Sequence, residues 1–194
     1  MKNFVVWSPE EVPHCFVLDQ LQMKGVDLDV ELRLGIPCNA SFPPNAVFTV
    51  DPDFPNNIAL ADTFYNINRL IVTSPKLREF IELRDPPELE FLPVTILDHK
   101  FRPAAKYFIV HPIHPIDALK PVESGAKWSR RNPERIDKVA TLVLDEDKID
   151  PSRQLFKLKY YTGCVLLRRD LADAISLRGF TGVGWKECEE YKSL

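Results

Sequence analysis

Seventeen prolines in 194 residues, against only seven glycines, constrain this chain more than any other feature. Each proline fixes its own φ and removes a backbone donor, so long helices and unbroken central strands are excluded wherever prolines gather. Pro37, Pro43, Pro44, Pro52 and Pro55 rule out a helix across residues 36–57 and predict extended, turn-rich chain around the short apolar run 47–50. With glycine scarce, the connections should be stiff and ordered. The chain is 45% hydrophobic, enough to bury a sizeable core, and is expected to form a single domain over 1–194.

Apolar periodicity between the prolines predicts an α+β fold. The expected form is a mostly antiparallel sheet with two short strand-helix-strand units and a proline-rich N-terminal extension. Strands are expected at 4–7 and 15–18, and at 28–34, where Leu28, Val30, Leu32 and Leu34 alternate with charged residues. Residues 1–60 thus read as strand and loop. Leu70-Ile71-Val72 reads as a buried strand, followed by Ser74 as N-cap, Pro75 at the first helical position, and the stripe Leu77, Phe80, Ile81. Strands at 89–97 and 106–113 follow, then an exposed loop over 121–133. Further strands are expected at 139–144, 155–160 and 165–167, then a helix over 170–178 closed by Gly179, and a last strand at 180–186. A shift of 94 residues superposes Ile71-Val72 on Val165-Leu166, Leu77 on Leu171 and Ile81 on Ile175. Segments 69–97 and 163–188 are therefore either a duplicated unit or two instances of a common spacing.

Charge and cysteine usage exclude several functional classes. The net charge of −3, from 28 acidic and 25 basic residues, is too balanced for a nucleic-acid groove or an anionic membrane surface. The N-terminal apolar run turns polar at Ser8-Pro9-Glu10-Glu11, too short for a signal-peptide core, and nothing approaches the roughly 20 apolar residues of a membrane span. A cytoplasmic location is expected. Cys15, Cys38, Cys164 and Cys188 form no CxxC pair and adjoin apolar runs, so they read as reduced thiols used as small hydrophobes.

No catalytic, cofactor or metal set is expected. His111-Pro112-Ile113-His114-Pro115 places two imidazoles three residues apart, but the prolines deny the helix that would align them, and no third ligand stands at a recognisable spacing. Ser124 with Asp117 and His111 or His114 lacks the flanks of a nucleophile elbow, and Cys15 beside His14 opens an apolar run where burial makes a thiol inert. The glycines of 179–185 follow a helix instead of leading into one, so they suit turns and close packing and not phosphate binding. The compact basic and aromatic cluster is Lys127, Trp128, Arg130, Arg131 and Arg135. It is the candidate partner-binding surface, since arginine forks and a tryptophan face commonly anchor interfaces. A solvated loop neutralised by Glu123, Glu134 and Asp137 is the plainer reading. Asp145-Glu146-Asp147 and residues 187–190 are acidic patches able to cover a basic surface, or ordinary acidic turns.

Six pieces in fixed order carry a resemblance: Val72-Thr73-Ser74 before Leu77; Leu89-Glu90-Phe91-Leu92-Pro93-Val94; Tyr107-Phe108-Ile109-Val110; Ile116-Asp117-Ala118-Leu119 before Ser124; Leu155-Phe156-Lys157-Leu158; and Gly179-Phe180-Thr181-Gly182-Val183. Over residues 69–188 the chain resembles the immunity protein eleven family of bacterial polymorphic toxin systems. It departs from that pattern at Lys120, where a second acidic residue is common, and at Arg168, where a serine often begins the second helix. The resemblance implies a cytoplasmic protein, monomer or homodimer, that binds and blocks a cognate protein toxin without chemistry of its own. It supplies no contact residues. Two other readings compete: an enzyme of unrecognised type built on Ser124, Asp117 and the histidines, and an interaction module or effector of a secretion system using the proline-rich first third.

Overall fold

The computed structural model describes residues 3–192. In chain order the elements are β1 (Phe4–Trp7), β2 (Leu18–Gln22), α1 (Asp29–Leu34), β3 (Val47–Val50), β4 (Ile71–Thr73), α2 (Pro75–Glu82), β5 (Leu89–Leu97) and β6 (Pro103–Pro112). They continue with β7 (Lys127–Trp128), β8 (Ile136–Lys138), β9 (Leu155–Phe156), β10 (Leu166–Arg168), α3 (Arg169–Ser176) and β11 (Trp185–Glu187). The fold is α+β. One sheet runs β11-β1-β10-β9, a second β2-β3-β5-β6-β4, and β7 pairs with β8 alone. All the pairings are antiparallel except β3 with β5, so the larger sheet is mixed. Among the described residues no helix is long and apolar enough to cross a membrane.

Strand periodicity distributes the core into three layers. In β1, Phe4 and Val6 face one apolar cluster, with Phe156, Leu158 and Leu142, while Val5 and Trp7 face another. In the larger sheet, Ile71 and Val110 join that second cluster, whereas Val72, Ile109, Leu92 and Ile96 face a third with Phe48, Phe64 and Leu32. The middle layer therefore lies between the two sheets. It also takes the buried faces of both longer helices, through Leu77 and Ile81 of α2 and Leu171, Ala172 and Ile175 of α3.

The helix α2 begins as its sequence dictates: Ser74 accepts from the Leu77 N–H at 3.2 Å and Pro75 takes the first position. The Ser74 hydroxyl also donates to Asp62 Oδ1 (2.7 Å), and the other Asp62 oxygen accepts from the Thr181 N–H (2.9 Å). This one carboxylate ties the start of α2 to the segment after α3. The 94-residue shift carries 75–82 onto 169–176, the bounds of α3. In each case the strands before and after the helix run parallel with one antiparallel strand between them, β6 in the first and β1 in the second.

Several expected elements differ. The strand expected at 15–18 forms as β2 over Leu18–Gln22, with Cys15 in an isolated bridge to Ala59, and that expected at 155–160 is strand over Leu155–Phe156, after which Leu158 bridges Ile116 instead. Within 28–34, residues Asp29–Leu34 form α1 and not a strand. An alternating pattern also contains pairs four apart, and here Leu28 and Leu32 are buried together while Val30 is exposed. Gly35, left-handed at φ 70°, closes the helix, and a Cβ there would lie 2.9 Å from the Pro112 carbonyl. Residues 139–144 form no strand: the chain bends at 140 and 141, and its backbone bonds go to separate places, Ala140 N to Ser124 O, Leu142 N to Cys188 O, and Lys120 N to Val143 O. The last strand shrinks to β11, because Gly182 and Gly184 bring the chain against Thr63, Ser8 and Glu10.

Gly182 has φ 76°, and a Cβ there would meet the Thr63 carbonyl oxygen at 2.3 Å; Gly25 has φ 79° with open space around it. Gly25→Ala is expected to cost about 1 kcal/mol, the left-handed penalty alone. Gly182→Ala adds a backbone clash and is expected to cost more than about 2 kcal/mol. Urea unfolding of the two variants side by side measures the difference.

Candidate functional site

The basic cluster of the sequence lies on a hairpin. Within residues 121–133, expected as loop, Lys127 and Trp128 pair as β7 with β8, opposite Lys138 and Ile136. The tip is shaped by Asn132, whose side chain accepts from the Glu134 N–H (2.9 Å), and by the Ser129 N–H bond to Arg135 O (2.8 Å). Ile136 is the root: its side chain is buried and its N–H donates to Tyr160 O at 2.8 Å. Trp128, 44% exposed, packs its indole 5.6 Å from the Tyr160 ring, and the Lys159 ammonium lies 5.2 Å from the same ring.

Lys127, Arg130 and Arg131 are exposed and make no ion pair among those of the described residues. Arg135 pairs with Asp137 at 3.2 Å, both about half exposed, a contact worth at most about 1 kcal/mol. Of the three carboxylates expected to neutralise the cluster, this is the one seen pairing with it. The acidic patches are partly compensated by comparison: Glu187 pairs with Arg169 (2.6 Å) and Asp145 with Lys148 (3.5 Å).

Arg135 also lines a cleft of about 390 Å³ with Arg33 and Asp29 of α1, Arg69, Asp137, Lys157 and Tyr160. Four cations against two carboxylates give it a positive balance, continuous with the hairpin. Lys157 is buried and donates to the Leu32 and Arg33 carbonyls at the C-terminal end of α1, the negative end of a helix. Burial lowers its pKa from the usual 10.5 to about 8.

A second constellation was invisible in the sequence. Cys38, Glu90 and His111 bring a sulfur, a carboxylate oxygen and a ring nitrogen within 4.8 Å of one another. Glu90 accepts from the Cys38 N–H (3.0 Å) and Asn39 N–H (3.2 Å), and His111 Nε2 bonds the Ile36 carbonyl at 3.0 Å. Burial first, then the Glu90 charge, pushes the Cys38 thiol up to about 11, the reverse of an activated nucleophile. Burial also lowers the His111 pKa. His114, the neighbour suggested by the motif, is instead exposed and pairs with Glu88.

The serine set does not assemble. Ser124 is fully buried, and its hydroxyl accepts from the Val143 N–H at 3.0 Å, bracing the 139–144 segment. Asp117 is exposed. Cys15 is buried with its pKa raised by burial. All four cysteines are buried, as their apolar neighbours predict.

A family model described as Immunity protein family (Imm11) matches residues 13–190. The chain belongs to that family. The match extends the resemblance over 69–188 to nearly the whole chain, including β2, α1 and β3. No match was found among curated proteins. In this Imm11 chain the hairpin and all the cations of the cleft lie within the matched span.

Lys157 gives the cleft a pH signature. Between pH 8 and 10.5 the unfolded chain holds this proton while the folded chain releases it, so the group makes stability rise with pH, by about 1 kcal/mol from pH 8 to 9. The thiols act oppositely: burial raises Cys38 to about 11 and Cys164 to about 12, so stability falls as pH climbs past about 9. Urea unfolding at pH 8, 9 and 10.5 is expected to show a Lys157→Met variant that lacks the first rise and keeps the later fall.

Proposed function

We propose that this chain is an immunity-type binding protein that neutralises a cognate bacterial toxin by occluding its active surface. It acts in the cytoplasm of a cell carrying a polymorphic toxin system, as a monomer or homodimer, and performs no bond-making step of its own. Membership of the Imm11 family over residues 13–190 carries this reading. The contact surface is the hairpin of Lys127, Trp128, Arg130, Arg131 and Arg135, extended by the cleft it overhangs.

Physical features of the hairpin support that assignment. Trp128 is nearly half exposed yet held against Tyr160, so little rotamer freedom is lost when a partner covers it. Arg130 and Arg131 are exposed cations suited to carboxylates on a toxin surface. Ile136, buried beneath, keeps the hairpin base fixed while the tip changes partner contacts. The reading as an enzyme built on Ser124 or a reactive thiol gains no comparable feature: Ser124 is braced to Val143, and the buried thiol of Cys38 is held protonated.

Co-expression with the product of the adjacent gene tests the proposal. The neighbour is expected to arrest growth alone and to be harmless with this chain. Trp128→Ala and Arg130→Ala are each expected to weaken the complex by about 2 kcal/mol or more, roughly 30-fold in Kd, with both variants folded in a melting scan. A harmless neighbour, or one equally toxic with and without the chain, sinks the reading; full protection by both variants moves the contact surface elsewhere.

A further inference from the structure

The Cys38, Glu90 and His111 constellation lies outside the proposed toxin-contact surface and has the makings of a ligand site. Glu90 and His111 stand directly opposite in the β5–β6 register, so their side chains leave the same face of the sheet with Cβ atoms about 5 Å apart. Cys38 arrives from the turn after α1. Gly35 lets that turn approach Pro112 and Pro115, and its N-terminal neighbours are held by Lys157. Three segments distant in sequence therefore converge their donor atoms within 4.8 Å in a site where Cys38 and His111 are 3% and 1% exposed.

We propose that Cys38, Glu90 and His111 hold one divalent cation of the zinc class through a thiolate sulfur, a carboxylate oxygen and an imidazole nitrogen. The donor set selects the metal. Sulfur, nitrogen and oxygen together suit Zn²⁺, while Mg²⁺ and Ca²⁺ require oxygen shells. The tautomer of the imidazole is already set: a carbonyl only accepts, so Nε2 donates to Ile36 O and Nδ1 keeps the free lone pair that a metal would take. Such a bond from the non-ligating nitrogen is the usual second shell of a metal-binding histidine. Glu90 is likewise oriented by the Cys38 and Asn39 N–H groups.

Binding breaks the Cys38 S–H bond and forms a sulfur–metal bond, with the proton released to solvent. Ligand atoms about 3.5 Å apart surround a tetrahedral ion, so the side chains need only contract slightly from their present spacing. Three protein ligands leave a fourth position for water. The ion then clamps the 36–38 turn, and α1 with it, onto β5 and β6. Because Asp29 and Arg33 of α1 line the cationic cleft, occupancy firms one wall of that cleft.

Calorimetric titration of the full-length chain, freed of metal by chelation, with zinc chloride tests the site without any toxin, so its result is independent of the immunity reading. One equivalent is expected to bind and raise the melting temperature, and Co²⁺ is expected to give a thiolate charge-transfer band. Cys38→Ser should abolish the band. Glu90→Gln, which can still accept the two backbone N–H groups, should weaken zinc binding by at least the roughly 10–100-fold that loss of a second-shell partner costs. His114→Ala, an exposed control, should bind as the parent does. The proposal is overturned if no saturable single-site binding occurs, if the cobalt band survives Cys38→Ser, or if Glu90→Gln binds unchanged. Melting of the metal-free variants verifies that each is folded before its result is read.

Discussion

Burial of one apolar layer between two sheets is the interaction on which the rest of the molecule depends. Val5, Trp7 and Leu167 present it from the smaller sheet with Val165 just before β10, Ile71 and Val110 from the larger, and α2 and α3 complete it. Each of those helices is eight residues long, too short to persist in water without tertiary contacts. Asp62 reinforces the layer by linking the Ser74 cap of α2 with Thr181 beyond α3, and the Phe80 and Phe180 rings meet at 5.4 Å.

That packing also decides where the cations meet. Arg33 and Asp29 come from α1, on the outer side of the larger sheet, whereas Arg135 and Lys157 come from the part of the chain packed on the smaller one. Lys157 crosses between them to the carbonyls of α1. The cleft is thus a consequence of how the two halves seat. The hairpin is more autonomous, needing chiefly the Ile136 root and the Tyr160 carbonyl, and it projects Lys127, Arg130 and Arg131, which make no ion pair among the described residues.

Local signals were legible wherever the physics is local. Ser74-Pro75 starts a helix because a hydroxyl caps an N–H three residues on; Phe4-Val5-Val6-Trp7 is a strand buried on both faces, as its unbroken apolar run implies. The prolines of 36–57 do leave just the short strand β3 there. The alternation at 28–34 failed as a guide because the same leucines satisfy a four-residue spacing, and the helix ends at Gly35, a residue that the alternation does not take into account. At 139–144 the apolar run was legible but the chain bends at residues 140 and 141 and finds no strand partner, since a strand exists through its neighbours.

The amino-acid order alone determined the α+β class, the buried thiols, the capped start of α2 and an exposed basic segment, though not its hairpin pairing, because caps, φ restrictions and apolar periodicity act over a few residues. It also held the pattern by which the chain belongs to the Imm11 family. Tertiary structure alone decided that His111 meets Glu90 and Cys38 instead of His114, and that Arg135 shares a cleft with α1. Those outcomes rest on strand register and sheet packing, which sum many weak long-range contacts, and no short window of sequence records such a sum.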